Sequence, residues 1–313
     1  MRKIVRAHAN IALIKYWGKD DEVNRIPSNP SLSLTLDAFY TDTEVIYDEI
    51  LTKDIFYLDN QEIIGKEKER VVRFMDYVRN RYDIKHYAII KSYNHVPTAA
   101  GLASSASAFA ALAKASTLHL DLDDIELSRL ARFGSGSASR SIYGGFAMWH
   151  QGHNDETSYA TPIDMKPWDD IVMIACLISE SEKQFSSSEA MYQTSSQSAY
   201  FDAWVTQSKK DIVEMISHVK KHDIKAVGQL AQENALRMHA SLLAVNKWYF
   251  EPETIRIMNI IRDLQKEVPV YFTMDAGPNV KLITTERYVD EVLKALKGVK
   301  TVIAKTGPGV HVL

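Results

Sequence analysis

Residues 94–116 read NHVPTAAGLASSASAFAALAKAS, with no formal charge before Lys114. Pro97 and Gly101 interrupt regular structure. From Ser104 onward the stretch is dominated by alanine, the strongest helix former, and Ser104 and Ser105 can cap the start of that helix. The preceding YAIIKSYN, residues 87–94, has strand character. The segment therefore reads strand, loop, helix. A helix start leaves backbone N–H groups unpaired and carries partial positive charge. A loop of small residues lets a ligand reach those groups, and an anion, above all a phosphate, is the natural one. The plainer reading is a small-residue helix packed close to a neighbour. No G-x-x-x-x-G-K-[ST] occurs in the chain, so nucleotide binding here takes a route other than the P-loop.

The rest of the chain supplies a frame for that segment. KIVRAHANIALI and SLSLTLDAFYTDTEVIY alternate or are β-branched and predict strands. GKEKERVVRFMDYVRNRYD spaces Val72, Met75, Val78 and Tyr82 as one helical face. DDIELSRLARF predicts a helix capped by Asp123 or Asp124. YGGFAMWH and DIVMIACLI predict strands, and residues 186–239 are mostly helical in pattern. A helix near 253–266, strands VYFTMDA and VKLITT, a helix YVDEVLKALKG and a strand KTVIA complete the chain. A strand-rich first half and a helical second half predict an α+β protein of two packed lobes, with a boundary near residues 178–183.

Composition excludes several classes. A formal net charge of −3 in 313 residues gives no electrostatic basis for binding nucleic acid or an acidic membrane. No apolar run reaches the roughly 18 residues of a membrane helix. The single cysteine, Cys176 in IVMIACLI, cannot form an internal disulfide, reads as a buried small hydrophobe and suits a cytoplasmic setting. The ten histidines show no metal-ligand spacing, and His239 reads as a packed histidine.

The pattern P-x-x-x-G-L-x-S-S-[AG], present as Pro97, Gly101, Leu102, Ser104, Ser105 and Ala106, resembles the phosphate loop of the GHMP kinase superfamily. The resemblance implies that Pro97, Ala99, Ala100, Gly101, Leu102, Ala103, Ser104 and Ser105 wrap the phosphates of ATP, with Mg2+ arriving on the nucleotide near Ser105. Four further stretches, AHANIALIKYWGKDD, RFGSGSASRSIYGGFAMW, ENALRMHA and YFTMDAGPNVK, resemble the diphosphomevalonate decarboxylases, the bacterial ones especially. The similarity runs from Ala7 to the GPG at 307–309. It implies a GHMP kinase fold, α+β. An N-terminal lobe (1–180) would be like domain 2 of ribosomal protein S5, and a C-terminal lobe (181–313) ferredoxin-like, with the active site in the cleft between. It also implies ATP-dependent decarboxylation of mevalonate 5-diphosphate to isopentenyl diphosphate, and a homodimer.

That chemistry assigns residues. A tertiary hydroxyl must lose its proton as it is phosphorylated, and Asp275, at a strand end beside the Gly277–Pro278 turn, is the candidate acceptor. A lone Asp in a turn is otherwise commonplace. Arg140 has the planar fork that suits a carboxylate; a surface arginine is the plainer reading. The resemblance places Ser135, Gly136 and Ser137 near the substrate diphosphate. The same stretch is like a dinucleotide glycine loop but lacks the third glycine. The resemblance puts Tyr16 and Lys19 of IKYWGK at the diphosphate and Lys15 near the reacting hydroxyl and Asp275; Trp17 reads as packing. In EKQFSSSEAM, Ser186 and Ser187 keep a paired serine of the family, and Lys183 is a candidate for the γ-phosphate.

Three departures from the family pattern are visible. Ser188 stands where Arg is usual, Pro30 where Ser or Thr is, and NKWYFEPET replaces a Pro-Pro-aromatic loop. Two rival readings share the ATP loop: a plain GHMP kinase that phosphorylates and stops, and a catalytically silent nucleotide-binding regulator. KYWGK, GSASRS and MDAGPNV together argue against the first, and retention of Asp275, Arg140 and Lys15 argues against the second.

Overall fold

The first sheet is organised on one 18-residue strand, Ser31–Asp48, whose residues 31–36 are all buried. It pairs antiparallel with Val5–Ile14 on one side. On its other side it pairs with Phe146–Trp149 at its start and with Tyr87–Asn94 at its end. The computed structural model describes residues 3–95, 104–178 and 185–313. Ile55–Leu58 adds to Tyr87–Asn94 in parallel, and His311–Val312 returns the chain to Val5–Ile14.

The second sheet is antiparallel, in the order Tyr271–Thr273, Lys281–Thr285, Ile171–Cys176, Thr301–Ala304. The chain changes sheet between Pro162 and Ile171. On hydrogen bonding alone the second unit thus begins ahead of residue 180.

Helix α1 (Lys66–Tyr82) buries Val71, Phe74, Met75 and Val78, so its face is centred one position from the Val72 reading. Helix α2 (Ser104–Ser116) packs on both long strands of the first sheet. Its alanines are what allow that approach: any larger residue at Ala106, Ala110 or Ala113, each fully buried, would meet the sheet. Helix α3 (Asp124–Gly134) is capped by Asp123, whose side chain accepts from Glu126 N. The second half adds α4 (Ser187–Gln197), α5 (Phe201–Lys220), α6 (Ile224–Leu243), α7 (Pro252–Leu264) and α8 (Val289–Ala295).

One core cluster joins the two sheets, with Leu32, Leu34 and Phe39 of the first meeting Ile171, Met173 and Ile283 of the second and Ile212, Met215 and Val227 of α5 and α6. The other face of the second sheet is covered through Ile257, Ile261 and Val292 of α7 and α8.

GSASRSI differs from the flexible loop that its glycine and serines suggest. Gly136–Ile142 is a 3-10 helix, buried at Gly136 and from Ala138 to Ile142. A Cβ on Gly136 would stand 2.8 Å from the Trp149 ring and 2.9 Å from the Tyr16 ring, so only glycine lets those rings close over the segment. VYFTMDA forms a strand only over Tyr271–Thr273, which leaves Asp275 beyond its end.

Trp149 is held in turn by the connection after it. Asp155 there receives Arg129 Nη2 at 2.5 Å, Arg81 Nη1 at 3.1 Å and Arg132 Nη2. Burial by itself would raise the Asp155 pKa; the Arg129 and Arg81 hydrogen bonds and the Arg132 charge hold it below the ordinary value. A depressed folded pKa contributes stability that is present above the unfolded value of about 4 and is lost as pH falls through the folded value. Asp155→Asn should cost roughly 1–3 kcal/mol near neutral pH, lowering the melting midpoint by several degrees. The cost should shrink as pH falls below about 4. Thermal melts of parent and variant across pH 3–7 check this; a gap that does not narrow with acid would contradict it.

Candidate functional site

Lys15 leaves the end of Val5–Ile14, and Asp275 follows Tyr271–Thr273. Across the seam between the sheets Lys15 Nζ donates to Asp275 Oδ1 at 2.7 Å and to the Ala12 carbonyl at 2.7 Å. Lys15 is 2% exposed and the Asp275 side chain 23%, so the lysine is buried and the carboxylate only partly exposed, with Oδ2 out of contact with solvent. Burial pulls the Lys15 pKa down to about 8, with the Lys281 and Arg140 charges helping and Asp275 opposing.

Both halves of the pair are fixed by neighbouring polar groups. Asn234 of α6 accepts from Lys15 N at 2.9 Å and donates to the buried Asp211 at 2.9 Å. Asn29 donates to the Lys15 carbonyl at 2.7 Å and to Ser208 Oγ at 2.9 Å. On the other side Gly277 N returns to the Asp275 carbonyl at 2.8 Å. Thr254, in the capping box of α7, donates to Pro278 O at 2.9 Å. A carboxylate at the end of a short strand is thereby held by its own turn and by the helix before it.

Arg140 is in the same charged group. It is buried, with Nε donating to Ser33 Oγ at 2.9 Å and to Asn10 Oδ1 at 3.3 Å, and Nη1 to Ser31 Oγ. Burial lowers its pKa to about 10, and the Asp275 charge opposes that shift. Neutral oxygens orient the fork, so its full positive charge is retained for a ligand.

Tyr16 packs its ring edge-on to Trp149, centroids 4.7 Å apart, over Gly136. Ser135 Oγ lies 3.3 Å from Ser137 Oγ and 3.1 Å from Ser105 Oγ at the start of α2. The hydroxyl expected at nucleotide and those expected at substrate are thus adjacent, where two phosphate groups could meet. Ser107 Oγ donates to the Ser104 carbonyl at 3.1 Å.

The remaining sequence candidates fall differently. Lys19 Nζ pairs with Glu22 at 2.6 Å. Ser186 is the N-cap of α4, accepting from Glu189 N at 3.1 Å, and Ser187 opens that helix. Helix α4 packs on Lys19–Asp21. Pro97, Ala99, Ala100, Gly101, Leu102, Ala103 and Lys183 lie outside the described residues. Trp17 is core, packed with Phe201, Trp204 and Met238.

Two sets of groups escaped the sequence reading. Arg70 of α1 donates to the Gly134 carbonyl at 3.0 Å, next to Ser135. Burial and the charges of Arg25 and Arg73 pull its pKa down to about 10. The only signal of Arg70 and Arg73 was an ordinary charged helix face. Lys281 Nζ stands 3.5 Å from Asp275 Oδ2 and is fully buried. His239 of α6 is buried against Phe250; burial, with the Lys15 charge, takes its pKa to about 4 and leaves it neutral. Among the described residues no group of three or more His, Cys, Asp or Glu could hold a metal ion.

Comparison with known proteins shows the family. Residues 7–160 match the diphosphomevalonate decarboxylase-like N-terminal domain, and residues 172–307 the mevalonate 5-diphosphate decarboxylase C-terminal domain. A phosphomevalonate decarboxylase of Haloferax volcanii is 31% identical over 100% of this chain and 98% of its own. The crystal structure of mevalonate diphosphate decarboxylase from Staphylococcus aureus superposes with a TM-score of 0.96 at 43% identity, covering 99% of this chain and 97% of that one. A structure named MDDEF in complex with MVAPP, AMPPCP and magnesium gives 0.95 at 42%, covering 99% and 98%.

The clamp on Lys15 is testable apart from any activity. Asn234→Ala leaves the buried Lys15 N–H and part of Asp211 without their partner, a loss of roughly 1–3 kcal/mol. Amide exchange over residues 12–17 should quicken by about tenfold or more as that edge opens locally. Exchange at the parent rate would mean that Asn234 does not hold Lys15.

Proposed function

Because the chain belongs to the diphosphomevalonate decarboxylase family, we propose that this site carries out the ATP-dependent decarboxylation of mevalonate 5-diphosphate. The products are isopentenyl diphosphate, CO2, ADP and phosphate, a step of isoprenoid biosynthesis in the mevalonate pathway. The fold is the GHMP kinase fold, and ATP with Mg2+ is the second substrate. The observation that carries the assignment of roles is the Asp275 carboxylate, its side chain 23% exposed, held at Oδ1 by buried Lys15 at 2.7 Å.

Asp275 accepts the proton of the tertiary hydroxyl as that oxygen takes the γ-phosphoryl group. Phosphate is then a good leaving group where hydroxide was not. Its departure with the carboxylate carbon as CO2 leaves the electron pair as the new double bond. Arg140 holds the substrate carboxylate until it is lost, and Lys15 meets the charge that develops on the transferring group. Tyr16, Lys19 and the Ser135–Ser137 segment hold the diphosphate, with Arg70 beside them. Ser104, Ser105 and the loop before them hold ATP. Mg2+ would arrive with ATP, held chiefly by phosphate oxygens with Ser105 as the candidate side-chain partner, and would neutralise polyphosphate charge. Ser186, Ser187 and Lys183 are proposed as further phosphate contacts. A cytosolic homodimer is the matching expectation; sedimentation tests the assembly.

The Haloferax relative bears the name of a monophosphate enzyme, so the length of the phosphate chain is a real alternative. The diphosphate reading is supported by the 42–43% identical structures and by the cations Arg25 near Tyr16 and Arg70 beside Ser135. Charge-assisted hydrogen bonds are worth about 1.5–3 kcal/mol each. With ATP and Mg2+, CO2 release from mevalonate 5-diphosphate should therefore exceed that from mevalonate 5-phosphate by about 10²-fold in kcat/KM. Equal rates would favour the monophosphate reading, and ADP without CO2 would indicate a plain kinase.

Asp275→Asn keeps the size but cannot take the proton. Turnover should fall about 10²–10⁴-fold, with ATP affinity by calorimetry unchanged within about twofold. A variant keeping more than about a tenth of parental kcat would remove Asp275 from this role.

A further inference from the structure

Lys281 opens the strand Lys281–Thr285, paired with Thr273 on one side and Ala175 on the other. Side chains of a strand alternate between faces. Val280 and Leu282 point into the α7–α8 core, whereas Ile283 points into the core shared with the first sheet. Lys281 is on the Ile283 face, where the alternation calls for a hydrophobe. An ammonium there, with 0% exposure, costs far more than an apolar residue unless it is paired. The carboxylate it meets is Asp275.

We propose that Lys281 is a positioning residue for the proton acceptor: it holds Asp275 Oδ2 from one side while Lys15 holds Oδ1 from the other. This rests on the reading of Asp275 as the acceptor. The two grips differ in kind. Lys15 makes a short directional hydrogen bond of 2.7 Å, whereas Lys281 at 3.5 Å lies beyond an ordinary hydrogen bond and acts by charge. With one cation on each oxygen the carboxyl plane cannot turn away from the seam. The two lysines come from opposite sheets, so the acceptor is in place only when both sheets are docked.

The charged and titratable groups around the pair are few. Lys15 comes from the first sheet, Arg140 from the 3-10 helix, neutral His239 from α6 and Cys176 from the neighbouring strand, its thiol pushed up to about 12 by burial. Among the described residues Asp275 is the carboxylate these groups share. Removing Lys281 removes one of the three described cations facing it.

Lys281→Met keeps the stem and removes the charge; Lys281→Gln keeps a donor without charge. Taking a cation from a carboxylate raises its pKa. The acid limb of kcat should therefore move to higher pH by about one unit in both variants. kcat should fall by about tenfold or more, with KM for ATP within about twofold and melting midpoints near the parent's. A buried lysine with a merely structural role would lower the melting midpoint and leave the acid limb in place. In an Asp275→Asn background, Lys281→Met should change the residual kcat by less than about twofold, because its target is gone. An unmoved acid limb in the Met and Gln variants, or an equal loss with and without Asp275, overturns the proposal. High activity in Asp275→Asn alone would instead overturn the acceptor assignment on which it rests.

Discussion

The ion pair between Lys15 and Asp275, 2.7 Å long and joining residues 260 positions apart, is the constraint on which the site depends. Lys15 is delivered by the edge of one sheet and Asp275 by the turn after a short strand of the other. Neither can be misplaced without losing the other. The core shared by the two sheets, the Asn234 and Asn29 clamps and the α7 capping box all act to keep this one distance. The long strand Ser31–Asp48 does the same for Arg140, because it presents Ser31 and Ser33 to the guanidinium.

Among the described residues, the cations Lys15, Lys281 and Arg140 face the carboxylate of Asp275, all three buried. Burial works against each of them, which is why their pKa values fall. Such an arrangement lowers the stability of the free protein and is offset elsewhere, by the three core clusters nearest the sheets. It becomes favourable when the ligands bring a carboxylate and phosphates. In the proposed mechanism Lys15 and Arg140 meet those charges directly and Lys281 acts through Asp275, with the dipoles and charges already in place.

Much of this was legible in the sequence because it lies in short strings. Helix α3 announced its own start through Asp123, and the strand-to-helix passage at 87–116 showed its order without help from the rest of the chain. Tyr16, Arg140 and Asp275 lie within motifs whose spacing is local. Lys281 was in plain view in VKLITT, but a lysine opening a strand ordinarily sits at a solvated edge. Its burial is created by pairing with Ala175 and Thr273, which no local pattern reports. Arg70 had the same difficulty, since on a helix face a functional arginine and a solvated one look alike. The parallel strand Ile55–Leu58 and the returning strand His311–Val312 were missed for a related reason: each is short and is defined by a distant partner. The tight 3-10 turn at 136–142 depends on rings from positions 16 and 149, and glycine and serine composition alone suggested flexibility.

The central claim is electrostatic: a buried, cation-rich group organised on Asp275 and completed by its anionic ligands. Its most direct test is the titration of Lys15 itself, followed by NMR on protein with 13C-labelled lysine and identified by comparison with a Lys15→Arg variant. Lys15 should titrate with a midpoint near 8 in the free protein, rising toward the ordinary lysine value of about 10.4 when mevalonate 5-diphosphate and AMPPCP are bound. A midpoint already ordinary in the free protein, and unmoved by the ligands, would contradict it.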